Sequence, residues 1–425
     1  MRTLQYDAVV IGAGAAGMAA ALELNKEGFN TAIIEREDHL GGILMQCIHN
    51  GFGLHEFKEE LTGPEFAGRF IEKLSSSGIA VYLNTTVVSL KADAPVPGVS
   101  GFPAKDLFCV SPLGMMRIRA TAVVLAMGCR ERNRGNVRIP GSRPAGVYTA
   151  GLAQRLVNIE GYIPGKEIVV IGSGDIGLIM ARRMSWVGCK VKAMVEIMPY
   201  PSGLTRNIVQ CLRDFDIPLY LSSLTTNIFG NDRVEGVEVT PMDNGVMIPE
   251  KKFRINCDTV LLSVGLVPEN ELSREAGVEL HTTTGGPLVD SSLMTNLEGV
   301  FACGNVLHVH DLADWVAEES RRAGIQAAAW LRGKRPETQI RLKAGSNVRY
   351  VNPGKLCPAD VNRIYLRSMI VKSGAVLELK LDNQLFKTVK QNHVQPPEMI
   401  NVTITPKDLE KFRFNADSVM EFNII

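Results

Sequence analysis

Two groups of glycines in this sequence have the same spacing, G-x-G-x-x-G, and an acidic residue follows each group. The groups are Gly12, Gly14 and Gly17 and, further along the chain, Gly172, Gly174 and Gly177, with Glu35 and Glu196 as the acids. A glycine turn that opens a helix directs backbone N–H groups at a phosphate, and the acid accepts hydrogen bonds from a ribose. If the glycines served only packing, the same order of turn, helix and acid would have to occur twice by coincidence. The sequence therefore predicts two dinucleotide-binding sites.

Each glycine of the motif has its own task. The first makes the tight turn from strand to helix, the second leaves room for a pyrophosphate, and the third lets the helix approach the strand closely. The residues that begin the two helices are included in the predicted sites, namely Ala15 and Ala16 in the first and Asp175 and Ile176 in the second. Arg36, beside the first acid, is a further candidate.

Apolar runs mark the elements that must position these residues. Residues 8–35 and 168–196 each contain an apolar strand, a helix ended by glycine, and a second strand that ends in the acid. Residues 121–128 predict a buried strand ending at Gly128, and residues 295–305 predict another, followed by a helix over 312–331. Strands that alternate with helices in this way predict an α/β protein with two Rossmann-like domains.

The whole set of motifs resembles the two-dinucleotide flavoproteins that include the pyridine nucleotide–disulfide oxidoreductases. The matching segments are the two glycine motifs, Ala126–Gly128, Ser263–Pro268 and Phe301–Asn305. The resemblance implies FAD on the first motif, NAD(P) on the second, and an NAD(P) domain inserted into the FAD domain. The expected domains are 1–155 with 285–335 for FAD, 156–284 for NAD(P), and a β-rich module over 336–425.

The resemblance also implies roles for single residues. Glu35 would hold the FAD ribose, and Val87 would present its backbone to the adenine. Gly304 and Asn305 would contact the ribityl–pyrophosphate region, where the family usually has aspartate and Asn305 keeps an acceptor oxygen. The remaining glycines assigned to the cofactor sites are Gly42, Gly128 and Gly265.

Glu196 bears on the choice of nicotinamide nucleotide. A carboxylate at this position suits the 2′-hydroxyl of NAD and repels the 2′-phosphate of NADP. The nearby basic residues fall on a helix and around the next strand, where they predict a solvated face; they are Arg182, Arg183, Lys190 and Lys192. NAD is therefore favoured over NADP.

The redox disulfide of the related reductases is not found in the sequence. Leu44 and His49 stand where those enzymes carry their two cysteines, and Cys47 lies between them. No C-x-x-C occurs anywhere in the chain, so a disulfide reductase is not expected. Cys47 and His49 are either packed loop residues, part of a loop over the flavin that positions a donor or acceptor, or, for Cys47, a peroxidatic thiol. The last role requires a low thiol pKa.

A second group of candidate residues follows Asn305. His308 and His310 alternate along an extended segment, and His308 is predicted to approach the flavin or the electron acceptor. A metal site would need a third ligand at a recognisable spacing, and since none is evident no metal is expected. Asp311 is expected to cap the following helix, with Asp314 in its first turn.

Composition limits the partners. The 46 basic and 45 acidic side chains give a net charge of +1, without a long basic run, which argues against nucleic acid or anionic membranes as partners. No apolar run suits a membrane span or a secretory signal. Eight dispersed cysteines suggest reduced thiols and a cytoplasmic location.

The C-terminal segment predicts five short strands, separated by turn residues, in a small sandwich or barrel. The strands are expected near 347–352, 363–371, 375–381, 385–389 and 399–404. Docking of another subunit is the expected role of this module.

With this module and the segment around Cys47, the chain is most similar to the FAD/NAD-dependent subunits that accompany anaerobic glycerol-3-phosphate dehydrogenases. It is more distantly similar to the larger subunits of opine oxidases, archaeal proline dehydrogenases and hydrogen cyanide synthases. The similarity implies a hetero-oligomer in which a second flavoprotein oxidises the substrate and a small cysteine-rich protein relays electrons. Two alternatives stay open at this point: a self-contained NADH oxidase or peroxidase that uses Cys47, and a scaffold subunit that holds nucleotides without catalysis.

Overall fold

The computed structural model describes residues 2–94, 104–335 and 338–425. The chain divides into two compact units, the first formed by Met1–Cys129 with Pro268–Ile425 and the second by Arg130–Val267. The second unit is inserted into the first, as the sequence predicts. In the described residues no helix has the length and apolar character needed to cross a bilayer.

The first unit begins with a strand–helix–strand motif that contains the first glycine group. Up to residue 125 its elements are β1 (Arg2–Ile11), α1 (Ala15–Lys26), β2 (Thr31–Ile34), β3 (Asn50–Phe52), β4 (Leu61–Thr62), α2 (Gly63–Ser75), β5 (Ala80–Tyr82), β6 (Thr86–Ala94), β7 (Ala104–Ser111) and β8 (Gly114–Leu125). The main sheet has the order β5-β2-β1-β8-β7-β6. β1 is parallel to both β2 and β8, whereas β6, β7 and β8 form an antiparallel meander.

The parallel strands are buried on both faces, which explains why they are continuous apolar runs. Val9, Val10, Val123 and Val124 have no exposed surface. Helix α1 is rich in alanine and is buried along most of its length. The carboxyl ends of β1 and β2 therefore meet the glycine turn and the first acid at one edge of the sheet.

The second unit repeats this motif with the second glycine group. Its elements are β9 (Cys129–Glu131), α3 (Arg134–Val137), β10 (Val147–Thr149), α4 (Ala150–Asn158), β11 (Glu167–Ile171), α5 (Asp175–Trp186), β12 (Lys190–Val195), α6 (Thr205–Cys211), β13 (Leu219–Tyr220), β14 (Ser223–Phe229), β15 (Gly236–Asp243), β16 (Val246–Met247), β17 (Phe253–Ile255), β18 (Thr259–Leu262) and β19 (Leu266–Pro268). A parallel sheet has the order β10-β18-β11-β12-β13, and strands β14 to β17 form a separate antiparallel sheet.

The chain then returns to the first unit. The elements of this return are α7 (Glu271–Glu275), β20 (Val300–Ala302) and α8 (Ala313–Leu331). β20 joins the main sheet beside β8 in parallel. Helix α8 is close to the predicted 312–331 and packs so tightly on α1 that a Cβ on Gly324 would lie 2.5 Å from the carbonyl oxygen of Ala20.

The C-terminal segment forms two sheets around its own apolar core. Its elements are β21 (Ile340–Ala344), β22 (Val348–Asn352), β23 (Lys355–Leu356), β24 (Asn362–Ser368), β25 (Lys372–Leu381), β26 (Gln384–Val394), β27 (Met399–Ile404), α9 (Pro406–Leu409) and β28 (Val419–Ile424). One sheet has the order β23-β21-β28-β25-β26 and the other the order β22-β24-β27. Buried side chains from both sheets form one cluster, as in a sandwich. The five predicted strands are present, and β21, β23 and β28 are additional to them. We call residues 338–425 the β-module.

The domain boundaries predicted at 155/156 and 284/285 differ from the structure. Residues 130–155 belong to the second unit, because β10 pairs with β18 and Ala150 and Ala153 lie in that unit's core. Residues 268–284 belong to the first unit, because Val278 is part of the core around β1 and β8. The β-module belongs to the first compact unit.

Candidate functional site

The first glycine group forms the predicted turn between β1 and α1. Gly12 has a φ of 101°, and a Cβ there would lie 2.5 Å from the carbonyl oxygen of Ala126. A Cβ on Gly17 would lie 1.8 Å from the carbonyl oxygen of Gly12, so only glycine permits this helix–strand approach. Gly14 is different, since a Cβ there would meet nothing within 4 Å. Open space therefore faces the second glycine, where a pyrophosphate would lie.

Glu35 is held at the end of β2 with its carboxylate oriented by the backbone. Only 6% of the residue is exposed. The N–H of Ala13 donates to Oε2 at 2.7 Å, and the N–H of Glu37 donates to Oε1 at 2.9 Å. Each oxygen keeps a further lone pair that can accept a ribose hydroxyl. Arg36 is mostly exposed and lies 3.5 Å from Glu269.

Two further predicted residues lie against this turn. Gly42 has a φ of 54°, and a Cβ there would lie 3.2 Å from Cα of Gly14. A Cβ on Gly304, in the segment after β20, would lie 2.7 Å from Cβ of Ala16. The structure thus brings residues from three distant parts of the first unit to the start of α1, where Ala15 is also largely buried.

The other residues predicted for this site have contacts within the protein. Asn305 accepts a hydrogen bond from the N–H of His310 through Oδ1 and donates through its amide to Cys129. Gly128 has a φ of 72°, and its carbonyl oxygen accepts from the N–H of Glu269. Val87 pairs with Cys109 between β6 and β7.

The open space at Gly14 and the buried carboxylate of Glu35 fit the diphosphate and ribose of a dinucleotide. Gly14 is the N-cap residue of α1 and has no side chain to cap the helix, so the N–H groups of the first turn are available to a phosphate. These are the residues that would hold FAD.

The second glycine group repeats this geometry inside the second unit. A Cβ on Gly172 would lie 2.1 Å from the carbonyl oxygen of Ser263, and one on Gly177 would lie 2.7 Å from Cβ of the same serine. The N–H of Gly177 donates to Ser263 Oγ at 3.0 Å. The nearest atom to a Cβ on Gly174 is 3.4 Å away, an ordinary contact distance. The second glycine is again the position with room beside it.

Glu196 occupies the place that Glu35 has in the first unit. Its Oε2 accepts from the N–H of Ser173 at 2.9 Å and from Ser202 Oγ at 3.1 Å, and its Oε1 accepts from the N–H of Met198 at 2.9 Å. The residue is 4% exposed. These donors fix the orientation of the buried carboxylate at the end of β12.

The remaining residues of the second site have structural contacts. Asp175 Oδ1 accepts from the N–H of Leu204 and from the amide of Asn207, which ties α5 to α6. Ile176 is partly buried in the first turn of α5, and Gly265 has a φ of 99° after β18.

Two of the basic residues near this site are engaged elsewhere in the second unit. Arg183 donates to Asn158, and Lys192 lies 3.0 Å from Glu167. Arg182, Arg183 and Lys192 are half-buried, and Lys190 is exposed.

Cys47 is packed against the start of α2. A Cβ on Gly63 would lie 2.8 Å from Cβ of Cys47, and the thiol donates to the carbonyl oxygen of Ile43 at 3.3 Å. Burial raises the pKa of Cys47 to about 12. All eight cysteines lie in the described ranges, and none takes part in a disulfide. A peroxidatic thiol needs the opposite shift in pKa.

We expect Cys47 to react slowly with iodoacetamide. A pKa near 12, compared with the ordinary 9.0, lowers its thiolate fraction at neutral pH about 1,000-fold. Because the thiolate forms only as pH approaches this pKa, the alkylation rate should rise about tenfold per pH unit from pH 7 to 10 without a plateau. Peptide mass spectrometry measures the rate at Cys47. A plateau near pH 8 would contradict the expectation.

The loop after Cys47 is fastened to α8 by a carboxylate. Asp314 is 3% exposed; its Oδ2 accepts from the N–H of Gly53, and its Oδ1 accepts from the N–H groups of His55 and Glu56 at 2.9 Å. The ring of His49 lies 5.2 Å from that of Phe52 in the same loop, and its Nδ1 is 3.1 Å from the carbonyl oxygen of Asn50. Asp314 therefore holds the loop of residues 53–56, which follows β3 and the segment that contains Cys47 and His49.

Replacing Asp314 by alanine should release this loop. Three backbone N–H groups would lose a charged acceptor, which should lower the free energy of unfolding by about 3 kcal/mol. Hydrogen–deuterium exchange at residues 53–56 should become faster in the alanine variant. Asp314→Asn keeps one acceptor oxygen, so its exchange rate should lie between those of the native protein and the alanine variant. Exchange that is unchanged in the alanine variant would show that other contacts hold the loop.

The structure corrects the prediction that His308 approaches the flavin or its acceptor. His308 is 1% exposed, so it has almost no surface that a ligand could cover. Its Nε2 donates to Glu319 Oε2 at 2.8 Å, and its ring packs beside Tyr350 and Tyr365 of the β-module. Burial lowers the pKa of His308 to about 4.

The acidic partner of the two histidines, which the sequence did not reveal, is Glu319 in the middle of α8. His310 Nε2 donates to Glu319 Oε1 at 3.1 Å, and the N–H of Gly304 donates to the same oxygen at 2.8 Å. Burial opposes the charge on Glu319, but the two imidazoles hold its pKa well below the usual range. The available signal was that Glu319 shares the buried face of α8 with small residues such as Ala323 and Ala327.

Asp311 does not cap α8, which corrects a second prediction. The N-cap residue is Leu312, and it makes no side-chain capping bond. Asp311 instead forms an ion pair with Arg367 and accepts from the N–H of Met399. Both partners belong to the β-module, so the segment before α8 is fixed to that module by charge.

Comparison with known proteins agrees with this architecture. The profile of a family described as pyridine nucleotide-disulphide oxidoreductase matches residues 6–349. One subunit of the opine oxidase of Agrobacterium tumefaciens (strain Ach5) is 26% identical over 325 residues, which are 71% of this chain and 61% of that protein. The glutamate synthase (NADPH) small chain of Azospirillum brasilense is 25% identical over 367 residues, 79% of this chain and 69% of that protein. The chain thus spans about three fifths of the opine oxidase protein.

A solved structure shows the same fold. Thioredoxin reductase of T. acidophilum superposes with a TM-score of 0.62 at 24% identity, over 76% of this chain and 98% of that chain. About a quarter of this chain therefore has no counterpart in the reductase structure.

Proposed function

The chain belongs to the pyridine nucleotide-disulphide oxidoreductase family, and we propose that it is an FAD-dependent NAD(P)H oxidoreductase. It would exchange a hydride between nicotinamide and flavin and pass electrons on as one component of a larger dehydrogenase. The observation that carries the proposal is the pair of glycine turns, each with open space at its second glycine and a buried carboxylate at the next strand end.

FAD, when bound, would take a hydride from the reduced nicotinamide and release the electrons to an acceptor. The protein's own part is to bind and orient the nucleotides. The N–H groups at the start of α1 and α5 would hold the diphosphates, and Glu35 and Glu196 would hold the riboses. Because Glu196 places a buried carboxylate at this strand end, where it suits a 2′-hydroxyl better than a 2′-phosphate, NAD is favoured over NADP.

In this function the reduced flavin passes its electrons to a partner protein and not to a disulfide. One thiol cannot form an intramolecular redox disulfide, and burial raises the pKa of Cys47 to about 12, which disfavours a self-contained peroxidase. If Cys47 were peroxidatic, Cys47→Ser would abolish turnover with peroxide.

Two relatives support a role in a complex, since their names describe one as a small chain and the other as a subunit. We propose a hetero-oligomer in the cytoplasm with a second flavoprotein dehydrogenase of the glycerol-3-phosphate type and a small cysteine-rich electron carrier. The β-module is the proposed docking element. Val361 and Met369 expose 63% and 62% of their surface there, which suits an apolar contact.

Anaerobic stopped-flow mixing with NADH tests the proposed activity. We expect the flavin absorbance to bleach in one phase with NADH and more slowly with NADPH at the same concentration. The reduced protein should then transfer its electrons to an artificial dye. Tightly bound FAD that NADH does not bleach would favour the scaffold role, and failure to bind FAD at all would defeat both.

A further inference from the structure

A cluster of two histidines and one carboxylate is buried between α8 and the β-module, next to Gly304 and Asn305 of the first nucleotide site. We infer that His308, His310 and Glu319 bind one divalent transition-metal ion, Zn²⁺ in preference to the harder cations. The three residues lie 0–8% exposed, and one ligand atom from each can be chosen so that all lie within 4.8 Å of one another.

The spacing of the ligand atoms suits a tetrahedral ion. In a site with bonds of about 2.0–2.1 Å, neighbouring ligand atoms lie about 3.3 Å apart. The Nε2 atoms of His308 and His310 lie 2.8 and 3.1 Å from the two oxygens of Glu319. Small movements of these side chains would therefore admit the ion, and imidazole with carboxylate is a set that Zn²⁺ binds well.

The charge of the cluster also favours a cation. Glu319 has no exposed surface, and within the described residues its recorded ion pairs are with the two histidines, which are neutral unless protonated. The adjacent guanidinium of Arg367 is already paired with Asp311. A buried carboxylate needs positive partners, and a divalent ion held between the imidazoles and Glu319 would be a stronger one than the imidazoles themselves.

Hydrogen bonds alone do not complete the cluster. His310 Nδ1 is buried and has no hydrogen-bond partner in the part of the chain that the structure describes. Nδ1 of His308 lies 3.5 Å from Tyr350 Oη, and this oxygen could accept a hydrogen bond from Nδ1–H when Nε2 binds a metal. A non-protein ligand such as water would fill the fourth position.

The ion would act as a structural clip. His308 and His310 come from the segment before α8, and Glu319 comes from α8 itself. Because Glu319 also accepts from the N–H of Gly304, which packs on Ala16, the clip would stiffen the segment beside the first glycine turn. Removal of the metal should therefore lower the melting temperature and speed the loss of bound FAD.

Metal analysis of the full chain tests the inference. The protein is purified without a polyhistidine tag, loaded with Zn²⁺ and desalted, and its zinc is measured by mass spectrometry. We expect about one ion per chain in the native sequence and in His393→Ala, a control histidine exposed on β26. His310→Ala and Glu319→Gln should retain less than about a tenth of this amount.

A second measurement covers the case in which a variant does not fold. The native protein is treated with a chelator and titrated with Co²⁺, whose visible absorption should saturate at one equivalent with the intensity of a four-coordinate site. Absence of both zinc and cobalt from the native protein would overturn the inference. Zinc that folded His310→Ala retains in full would overturn it as well.

Discussion

Replacing Gly14 by valine should give a folded protein that has lost its flavin. Gly14 has a φ of −73° and a ψ of −171°, which valine adopts readily, and a Cβ there meets no atom within 4 Å. The side chain would instead fill the space where the FAD pyrophosphate must lie. We expect FAD affinity to fall at least about 100-fold, or about 2.7 kcal/mol, measured by fluorescence titration of the FAD-free protein.

Gly68→Val is the matched control for this substitution. Gly68 lies on an exposed part of α2, and a Cβ there also meets nothing within 4 Å. This variant should bind FAD normally, and both variants should keep the circular dichroism spectrum of the native protein. A yellow Gly14→Val protein with native affinity would show that FAD does not bind at this turn.

Replacing Gly174 by valine should separate the two nucleotides. Gly174 has a φ of −66° and a ψ of 163°, and the nearest atom to its Cβ is 3.4 Å away, so the second unit should fold. The new side chain would block the diphosphate of NAD while the first unit is untouched. We expect normal FAD content with flavin reduction by NADH slowed at least about 100-fold at subsaturating NADH.

Chemical reduction supplies the control for the second variant. Dithionite does not need the nucleotide site, so it should bleach the flavin of Gly174→Val and of the native protein equally. The Gly14→Val variant has the opposite expected phenotype, loss of FAD with retained NADH binding. If NADH reduced the flavin of Gly174→Val at the native rate, the nicotinamide nucleotide would bind elsewhere.

The elements around the glycine turns could be predicted because their signals are local. In each unit the turn, the helix and the acid lie within one short stretch of sequence, and their spacing follows from the length of a strand and a helix. The long helix α8 and five strands of the β-module were predicted for the same reason. Gly12 and Gly17 are fixed by contacts that a side chain would prevent, and this constraint is visible as glycine in the sequence.

The errors of the prediction arise from contacts between distant residues. Asp311 was expected to cap α8 because it precedes the helix, but its partner Arg367 lies in the β-module. His308 was assigned to the flavin because it follows Asn305, and nothing local indicates that Glu319 and two tyrosines enclose it. The boundary before residue 156 was misplaced because β10 pairs with β18, which lies more than 100 residues later in the chain.

The place of β28 in its sheet affects the order in which the β-module can form. β28 pairs in parallel with β21 and antiparallel with β25, so it lies between strands made much earlier in the chain. During synthesis on the ribosome, β21 and β25 would each have an unpaired strand edge until residues 419–424 emerge. Such edges invite pairing with other chains, so a stalled nascent chain should be a substrate for chaperones that mask exposed strands.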